Sequence, residues 1–536
     1  MKKTYTYVSR RGSKILCRGF YENGERYLDK VDYEPTLFIS GKKTNEKPWH
    51  DIYGNKVYPV KPGSISDCKD FLDRYKDVEG FNVLGMTNWV SQYLSDEYNY
   101  EIHPDFNHTR VYTIDIETEI IDSFPDPSKA NEEILLITVH DTLHDRYLVY
   151  GANKVNQEKV FGILEENGLS KDKVKFIITQ DEYSMLKQFV IDWSNQYPDA
   201  ITGWNTETFD IPFLVNRINR VLGEEFVKKL SPFGIVTERF IKRNNNEEQI
   251  YDIEGIAKLD YLDLMKKYTY GDRESWKLGD VAQDELGKTK LDFDCSFIES
   301  YQKYWDRFVA YNIIDVHLVE ELDKKFKLIE LAYTVAYMAK INPDEIFSPI
   351  RTWDSIIFNH LKSKGIVVPE QKRHKLENSI AGGFVKDPQM GKHEWIVSFD
   401  FASLYPSLMM FNNISPDTLI GDFFRNVKMD RLLSKDYDLD YLKQDEVCMT
   451  ANGVGFTKTK KGFVPELVEG YYDLRKKTKK EMLKLEQEYA DTKNEKLVPQ
   501  ISSLNAKQMA VKILMNSLFG AMASPYFRFF DTRMAE

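Results

Sequence analysis

The chain has 536 residues, a formal net charge of −11, 42% hydrophobic and 29% charged residues. That length exceeds the size at which one core stops growing, so about three or four domains are expected, and the composition is that of a soluble globular chain. No apolar run approaches the ~18–20 residues that span a bilayer, and the opening MKKTYTYVSRRGSKILCRGF turns polar too soon for a signal peptide, which excludes a membrane or secreted class and points to a cytoplasm.

The first hundred residues alternate in short β-rich runs broken by turn signals, as in KTYTYVSRRGSKILCRGF and EPTLFIS, and predict a small β-rich domain. VYTIDIETEI at 111–120 is a β-branched, apolar run and predicts a strand; EEILLITVHD and DRYLVYG predict two more, joined by a short turn. MLKQFVIDWSNQYP has helical periodicity and stops before Pro198, and AITGWNTETFDIPFLVNRINRVLG reads as strand, loop and helix. RFIKRNNNEEQIYDIEG predicts a hairpin with an Asn-rich tip. FKLIELAYTVAYMAKI is an apolar helix broken by NPDEIFSP, and EWIVSFDFASLYPSLMM predicts another strand entering a turn. PELVEGYYDLRKKTKKEMLKLEQEYA and SLNAKQMAVKILMNSLFG predict an antiparallel helical hairpin across a polar stretch.

These elements give a fold of α/β and α+β multi-domain class. The expected organisation is a β-rich N-terminal domain at 1–106, completed by 328–372, and an α/β domain at 107–327. A third region follows at 373–463, the helical hairpin at 464–520, and a return to the third region at 521–536. Cys17, Cys68, Cys295 and Cys448 lie far apart with no C-x-x-C spacing, so they read as buried small hydrophobes, neither a disulfide framework nor a structural zinc site. A pI near 5.5 argues against a generally basic nucleic-acid binder, although Lys458 to Lys484 holds nine Lys/Arg against four Asp/Glu and could face phosphates.

Asp115 and Glu117 stand two apart on a strand, so both carboxylates share a face, where they repel unless cations sit between them. Asp210, at the end of the Asn205–Asp210 segment, precedes a helix, and Tyr311 and Asp315 lie one helical turn apart. Four carboxylates and a tyrosine can build a site for two Mg²⁺ or Mn²⁺ ions held ~3.5–4 Å apart by oxygen ligands.

DIETE, GWNTETFDIPF and YNIIDV resemble, in order, the Exo I, Exo II and Exo III motifs of family B DNA polymerases, whose 3′→5′ proofreading exonuclease is ribonuclease H-like in fold. The resemblance implies that Asp115, Glu117, Asp210 and Asp315 ligate two metal ions and that Tyr311 positions the attacking water. The 239–255 hairpin would correspond to the one that helps separate primer end from template. SFDFASLYPS at 398–407 resembles polymerase motif A. It implies Asp400 as a ligand of the catalytic ions, the backbone at Phe401 as a further metal contact, and Ser403 and Leu404 beside the nucleotide. Tyr405 would lie under the sugar, where its ring leaves no room for a 2′-hydroxyl.

Lys512 and Asn516 fall in a match to motif B, K-x-x-x-N-S-x-Y-G, with Phe519 where tyrosine is usual, and Arg475 and Lys479 occupy places that grip the triphosphate from the opposite fingers helix. By that resemblance, the missing hydroxyl at Phe519 removes a minor-groove hydrogen-bonding group used in sensing mismatches. AGGFVKDP at 381–388 resembles the linker between exonuclease and polymerase modules, with Ile380 where an aromatic is common. The overall likeness is to the T-even-like bacteriophage members of the family. The implied architecture is an exonuclease domain, a partial palm and helical-hairpin fingers.

The implied partners are primer–template and single-stranded DNA, deoxynucleoside triphosphates, and a sliding clamp bound through a segment outside this sequence. Motif C, Y-G-D-T-D, does not occur: the one Tyr-Gly-Asp, Tyr270–Asp272, continues Arg-Glu and precedes motif A, and the sequence runs about sixteen residues past motif B. The expectation is a polymerase site completed by a C-terminal polypeptide carrying motif C and the thumb. A natural split is favoured over an interrupted gene or a truncated sequence. Two alternatives stand beside it: a stand-alone 3′→5′ exonuclease, and a non-catalytic nucleic-acid-binding regulator.

Overall fold

A computed structural model of the protein describes residues 2–41, 48–121, 123–243, 246–269, 273–372, 386–399, 401, 403–423, 429–437 and 446–535. The chain divides into two compact units: Met1–Asp32, Tyr100–Tyr333 and Asn342–Asp344 form the first, and Tyr33–Asn99, Thr334–Ile341 and Glu345–Glu536 the second. No helix among the described residues is long and apolar enough to cross a membrane.

The first unit opens with a three-stranded antiparallel sheet, Lys3–Arg11 (β1), Lys14–Tyr21 (β2) and Arg26–Asp32 (β3). The β1–β2 turn needs a left-handed residue, and Gly12 supplies it at φ 60°. A mixed six-stranded sheet follows, built from Val111–Thr118 (β4), Ile134–Asp141 (β5), Arg146–Gly151 (β6), Val174–Ile178 (β7), Ala200–Thr202 (β8) and, after a separate hairpin, Ala257–Lys258. The hairpin strands are Val236–Arg243 (β9) and Asn246–Ile253 (β10), which makes the edge strand β11. The sheet order is β7-β6-β5-β4-β8-β11; β4, β5 and β6 run antiparallel to their neighbours among themselves, and β7, β8 and β11 join by parallel pairing.

Central position explains the burial of β4 on both faces, and its Ile114 and Ile116 pack with Ile137 and Val139 of β5. Glu182–Asn195 (α1) is capped by Asp181, which accepts from Ser184 N at 2.8 Å, and it buries Phe189 and Trp193 in the same core. Asp210–Leu222 (α2) adds Phe213 and Ile218. Trp305–Phe326 (α3) is the long helix of the unit, ended by Lys327 in the left-handed conformation with Lys324 and Lys325 in its last turn, where cations complement the helix dipole. α3 is fastened to the sheet by a buried polar set: the Tyr147 hydroxyl on β6 lies 2.9 Å from His317 Nδ1 and donates to Glu320. The predicted strands at 111–120, 132–141 and 145–151, the helix before Pro198, the strand-loop-helix at 200–223 and the hairpin all form. The Asn-rich hairpin tip at 244–245 lies outside the described residues.

The second unit holds a five-stranded sheet, in which Ile366–Val367 pairs in parallel with Trp49–Asp51, and a smaller sheet of Leu419–Asp422, Val447–Met449 and Val454–Thr457. Its helical hairpin is Phe463–Thr492 (α4) and Val498–Met522 (α5), longer than predicted. Lys493 closes α4 in the left-handed region, and α5 starts within the polar stretch because Pro499, in its first turn, forfeits no helical hydrogen bond.

The strand predicted from EWIVSFD does not form: residues 394–399 are irregular, and Trp395 and Phe399 are 97% and 90% exposed. β propensity holds a strand only when a neighbouring ladder satisfies its backbone, and among the described residues nothing pairs with this segment. Cys17, Cys68 and Cys448 are buried, but Cys295 is only half-buried; all four are free thiols.

A buried ion pair anchors the end of the chain within the second unit. Arg528 is fully buried and meets Asp354 twice, Nε to Oδ1 at 2.7 Å and Nη2 to Oδ2 at 3.0 Å, while Nη1 donates to Pro369 O at 2.7 Å. Removing one partner leaves the other charge uncompensated in low dielectric. Arg528→Ala is expected to destabilise this unit by about 3–5 kcal/mol, read as a lower urea midpoint by far-UV circular dichroism; an unchanged midpoint would contradict the assignment.

Candidate active site: a buried carboxylate cluster

Strand alternation sets Asp115 and Glu117 on one face of β4, and α3 crosses that face carrying Tyr311, Asn312 and Asp315. One carboxylate oxygen from each of Asp115, Glu117 and Asp315 lies within 4.8 Å of the others. Asp210, the first residue of α2, is buried and accepts from Ile116 N at 3.0 Å, so its carboxylate is tied to the strand residue between the two strand acids. Local backbone brings it there. At Gly203, φ 157°, a Cβ would stand 2.4 Å from Ile114 O, so only glycine lets the β8 exit run this close to β4. Asn205 then turns in the left-handed region at φ 66°, and buried Asp260 braces the loop by accepting from Asn205 N at 3.2 Å and Glu207 N at 3.0 Å.

The electrostatics follow from placing acids together away from water. Burial, then the neighbouring Asp210, Glu117 and Asp315, pushes the Asp115 carboxyl well above the usual range, and burial and Asp315 do the same to Glu117. Burial raises Asp315 too and takes Asp210 up to about 7 and Asp260 up to about 6. Lys290, absent from the motifs, partly offsets this. Its ammonium pairs with Asp315, donates to the Tyr311 hydroxyl at 3.4 Å and lies 5.2 Å from that ring's centroid. Burial disfavours the Lys290 charge, yet Asp315 and the other acids hold its pKa above the ordinary lysine value. Asn312, also unmarked in the sequence reading, is fully buried and donates to Asp115 Oδ2 at 2.6 Å.

Asp315 Oδ1 is buried with no hydrogen-bond partner. An orphaned carboxylate oxygen among oxygen-only donors fits a hard divalent cation such as Mg²⁺ or Mn²⁺. Asp115, Glu117 and Asp315 could hold it, with Asp210 adjoining.

The other expected site residues fall in the second unit. Tyr405, near the start of the short helix Leu404–Phe411, stacks on Phe519 of α5 with centroids 4.5 Å apart and planes 15° apart. Ser403 precedes that helix in the left-handed conformation, and Phe401 is 78% exposed. Arg475 and Lys479 lie one turn apart on α4, and Lys512 and Asn516 one turn apart on α5. Asp400, residues 373–385 of the linker region and Tyr270–Asp272 lie outside the described residues.

The raised carboxyl values have a sign. In the metal-free protein a native Asp210 near 7 keeps a proton that the unfolded chain releases near pH ~4, so its contribution to stability is present at low pH and lost as pH rises through about 7. His140, pushed down by burial, works in the opposite direction, so the reading is a difference between proteins. From about pH 5 to about pH 8 the metal-free parent is expected to lose a few kcal/mol relative to Asp210→Asn, and saturating Mg²⁺ to remove the difference. Parallel melting-temperature profiles for the two proteins would refute it.

Known protein families carry this same order of features. Residues 87–281 match the exonuclease domain of DNA polymerase family B, and residues 351–536 match DNA polymerase family B. The chain is 33% identical to the DNA-directed DNA polymerase of Enterobacteria phage T4 and 31% identical to that of Escherichia phage RB69, each over an alignment 589 positions long, gaps included, that covers 100% of this chain and 65% of the relative. It is 26% identical to the DNA polymerase delta catalytic subunit of Candida albicans over 68% of this chain and 36% of that protein. The chain thus spans 65% of the length of the two phage relatives. Agreement with the phage polymerases over the whole of this chain, and matches to both modules in the order the acids and the aromatic stack occupy, make the chain a member of DNA polymerase family B with that family's exonuclease domain.

Proposed function

We propose that the first unit is a 3′→5′ exonuclease that removes nucleotides from a DNA 3′ end, and that the second unit contributes part of a DNA-directed DNA polymerase site in phage DNA replication. The observation carrying the first half is the convergence of Asp115, Glu117 and Asp315, with Asp210 bound to the intervening strand residue. The strand order of the surrounding sheet supports a ribonuclease H-like reading of residues 107–327.

Asp115, Glu117, Asp210 and Asp315 would hold two Mg²⁺ or Mn²⁺ ions, which when bound supply a hydroxide nucleophile and neutralise charge at the leaving oxygen. The protein's own groups do the rest. Tyr311, one turn before Asp315, orients the attacking water, and its raised pKa, set by burial and then Asp315, keeps the phenol protonated as a donor. Lys290 balances the acids and can turn its ammonium to the scissile phosphate. Asp115→Ala removes several kcal/mol of charge stabilisation, which at tenfold per ~1.36 kcal/mol predicts a loss on the order of 10³-fold in degradation of 3′-labelled single-stranded DNA. Retained activity would sink the exonuclease reading, and loss would exclude a non-catalytic regulator.

For the polymerase half, we assign residues 373–463 and 521–536 to part of the palm and 464–520 to the fingers. Asp400 would bind the catalytic ions with the Phe401 backbone, and Ser403, Leu404, Arg475, Lys479, Lys512 and Asn516 would contact the nucleotide. The Tyr405 ring, backed by Phe519, would exclude a ribose 2′-hydroxyl. Motif C and the thumb would come from a C-terminal polypeptide that also carries the sliding-clamp contact. The exposed Trp395, Phe399 and Phe401 support an apolar surface that such a partner covers. The chain alone is expected to incorporate little deoxynucleotide in a primer-extension assay, and addition of the C-terminal third of the polymerase to restore it. Robust extension by the chain alone contradicts the split site. Two observations, the assembled acid cluster of the first unit and the absence of strand pairing at 394–399 in the second among the described residues, favour, as a second reading, a stand-alone exonuclease, which failure of every such partner to restore extension would support.

A further inference from the structure

Asn312 sits in the middle of a helix with no exposed surface, a position where a leucine would pack and an amide is costly unless its polar atoms are paired. Both ends are paired. Its Nδ2 donates to Asp115 Oδ2 at 2.6 Å, a charge-assisted length, and its Oδ1 accepts from the hydroxyl of Thr138. Thr138 is itself fully buried and is the cross-strand partner of Asp115 in the β4–β5 ladder, so the hydroxyl's position is set by sheet register. With divalent ions bound, the Asp115 carboxylate is ionised and only accepts, which fixes the amide with its nitrogen towards Asp115 and its oxygen towards Thr138.

We infer that Asn312, oriented by Thr138, is a positioning residue that sets how Asp115 is presented to divalent ions; the inference rests on the two-metal reading above. Asn312 lies three residues before Asp315 on α3. One side chain therefore links the strand-borne acid to the helix that carries its counterpart, and holds the gap between them. The bond commits Asp115 Oδ2, fixes the carboxylate plane and supplies positive hydrogen to a carboxylate that the other acids repel. Outer partners of this kind orient metal-binding oxygens, and their loss costs about 10–100-fold in ion affinity.

The test measures Mn²⁺ binding to the full chain without DNA, by calorimetry and by electron paramagnetic resonance, alongside circular dichroism melts. Asn312→Leu is expected to weaken Mn²⁺ binding about 10–100-fold, Thr138→Val to weaken it less but in the same direction, and Thr138→Ser, which keeps the hydroxyl, to match the parent. The Mg²⁺ concentration for half-maximal degradation of single-stranded DNA should shift in the same order. Should Asn312→Leu fail to fold, the near-isosteric Thr138→Val decides. Parental Mn²⁺ affinity in both, or melting temperatures that fall while affinity stays fixed, overturns the positioning role. A parent that binds no Mn²⁺ at all overturns the two-metal reading beneath it, a result distinct from the first.

Discussion

Carboxylates brought together out of water oppose their own folding, and the first unit is organised around tolerating that opposition. Asp115, Glu117, Asp210 and Asp315 are each buried or half-buried and each raised in pKa by burial, and Asp115 and Glu117 are raised further by the other acids. Geometry that costs stability persists only where the scaffold over-determines it. Here β4 is central in its sheet, Gly203 permits the neighbouring chain to close on it, Asp260 braces the loop that delivers Asp210, and α3 is held by the core. Lys290 supplies one positive charge against four acids. That deficit fits the cluster to multivalent cations.

Much of this was legible in the residues, because the relevant periods are short and local. A spacing of two on a β-branched run puts Asp115 and Glu117 on one face, and a spacing of four inside a helical pattern does the same for Tyr311 and Asp315. Asp210 was readable through its place at a loop-to-helix boundary. Lys290 was not, since it belongs to no motif and approaches Asp315 only through the path of the loop after residue 287. Asn312 hid in plain sight within YNIIDV: its partner Thr138 is 174 residues away, and only the strand register reveals it.

The failed strand at 394–399 shows the limit of propensity from another side. Ile396, Val397 and Phe399 have the side chains of a strand, but side chains supply only the preference; the ladder must come from elsewhere in the fold. The two units thus differ in how self-sufficient their parts are. The first braces its acids with its own loops and helices. Part of the second displays aromatic surface of a kind that folded chains ordinarily bury, while its helical hairpin and the Arg528–Asp354 pair are fully made.

The joint between Tyr147, His317 and Glu320 has a reach beyond its own neighbourhood. It pins α3 to a strand two removed from β4, so the helix cannot slide or roll without breaking it. Asp315 lies two residues before His317 on α3, so the same joint fixes where that acid stands. A change at position 147 would therefore reach Asp315 through α3, from a ring two strands away on the same face of the sheet as the acids.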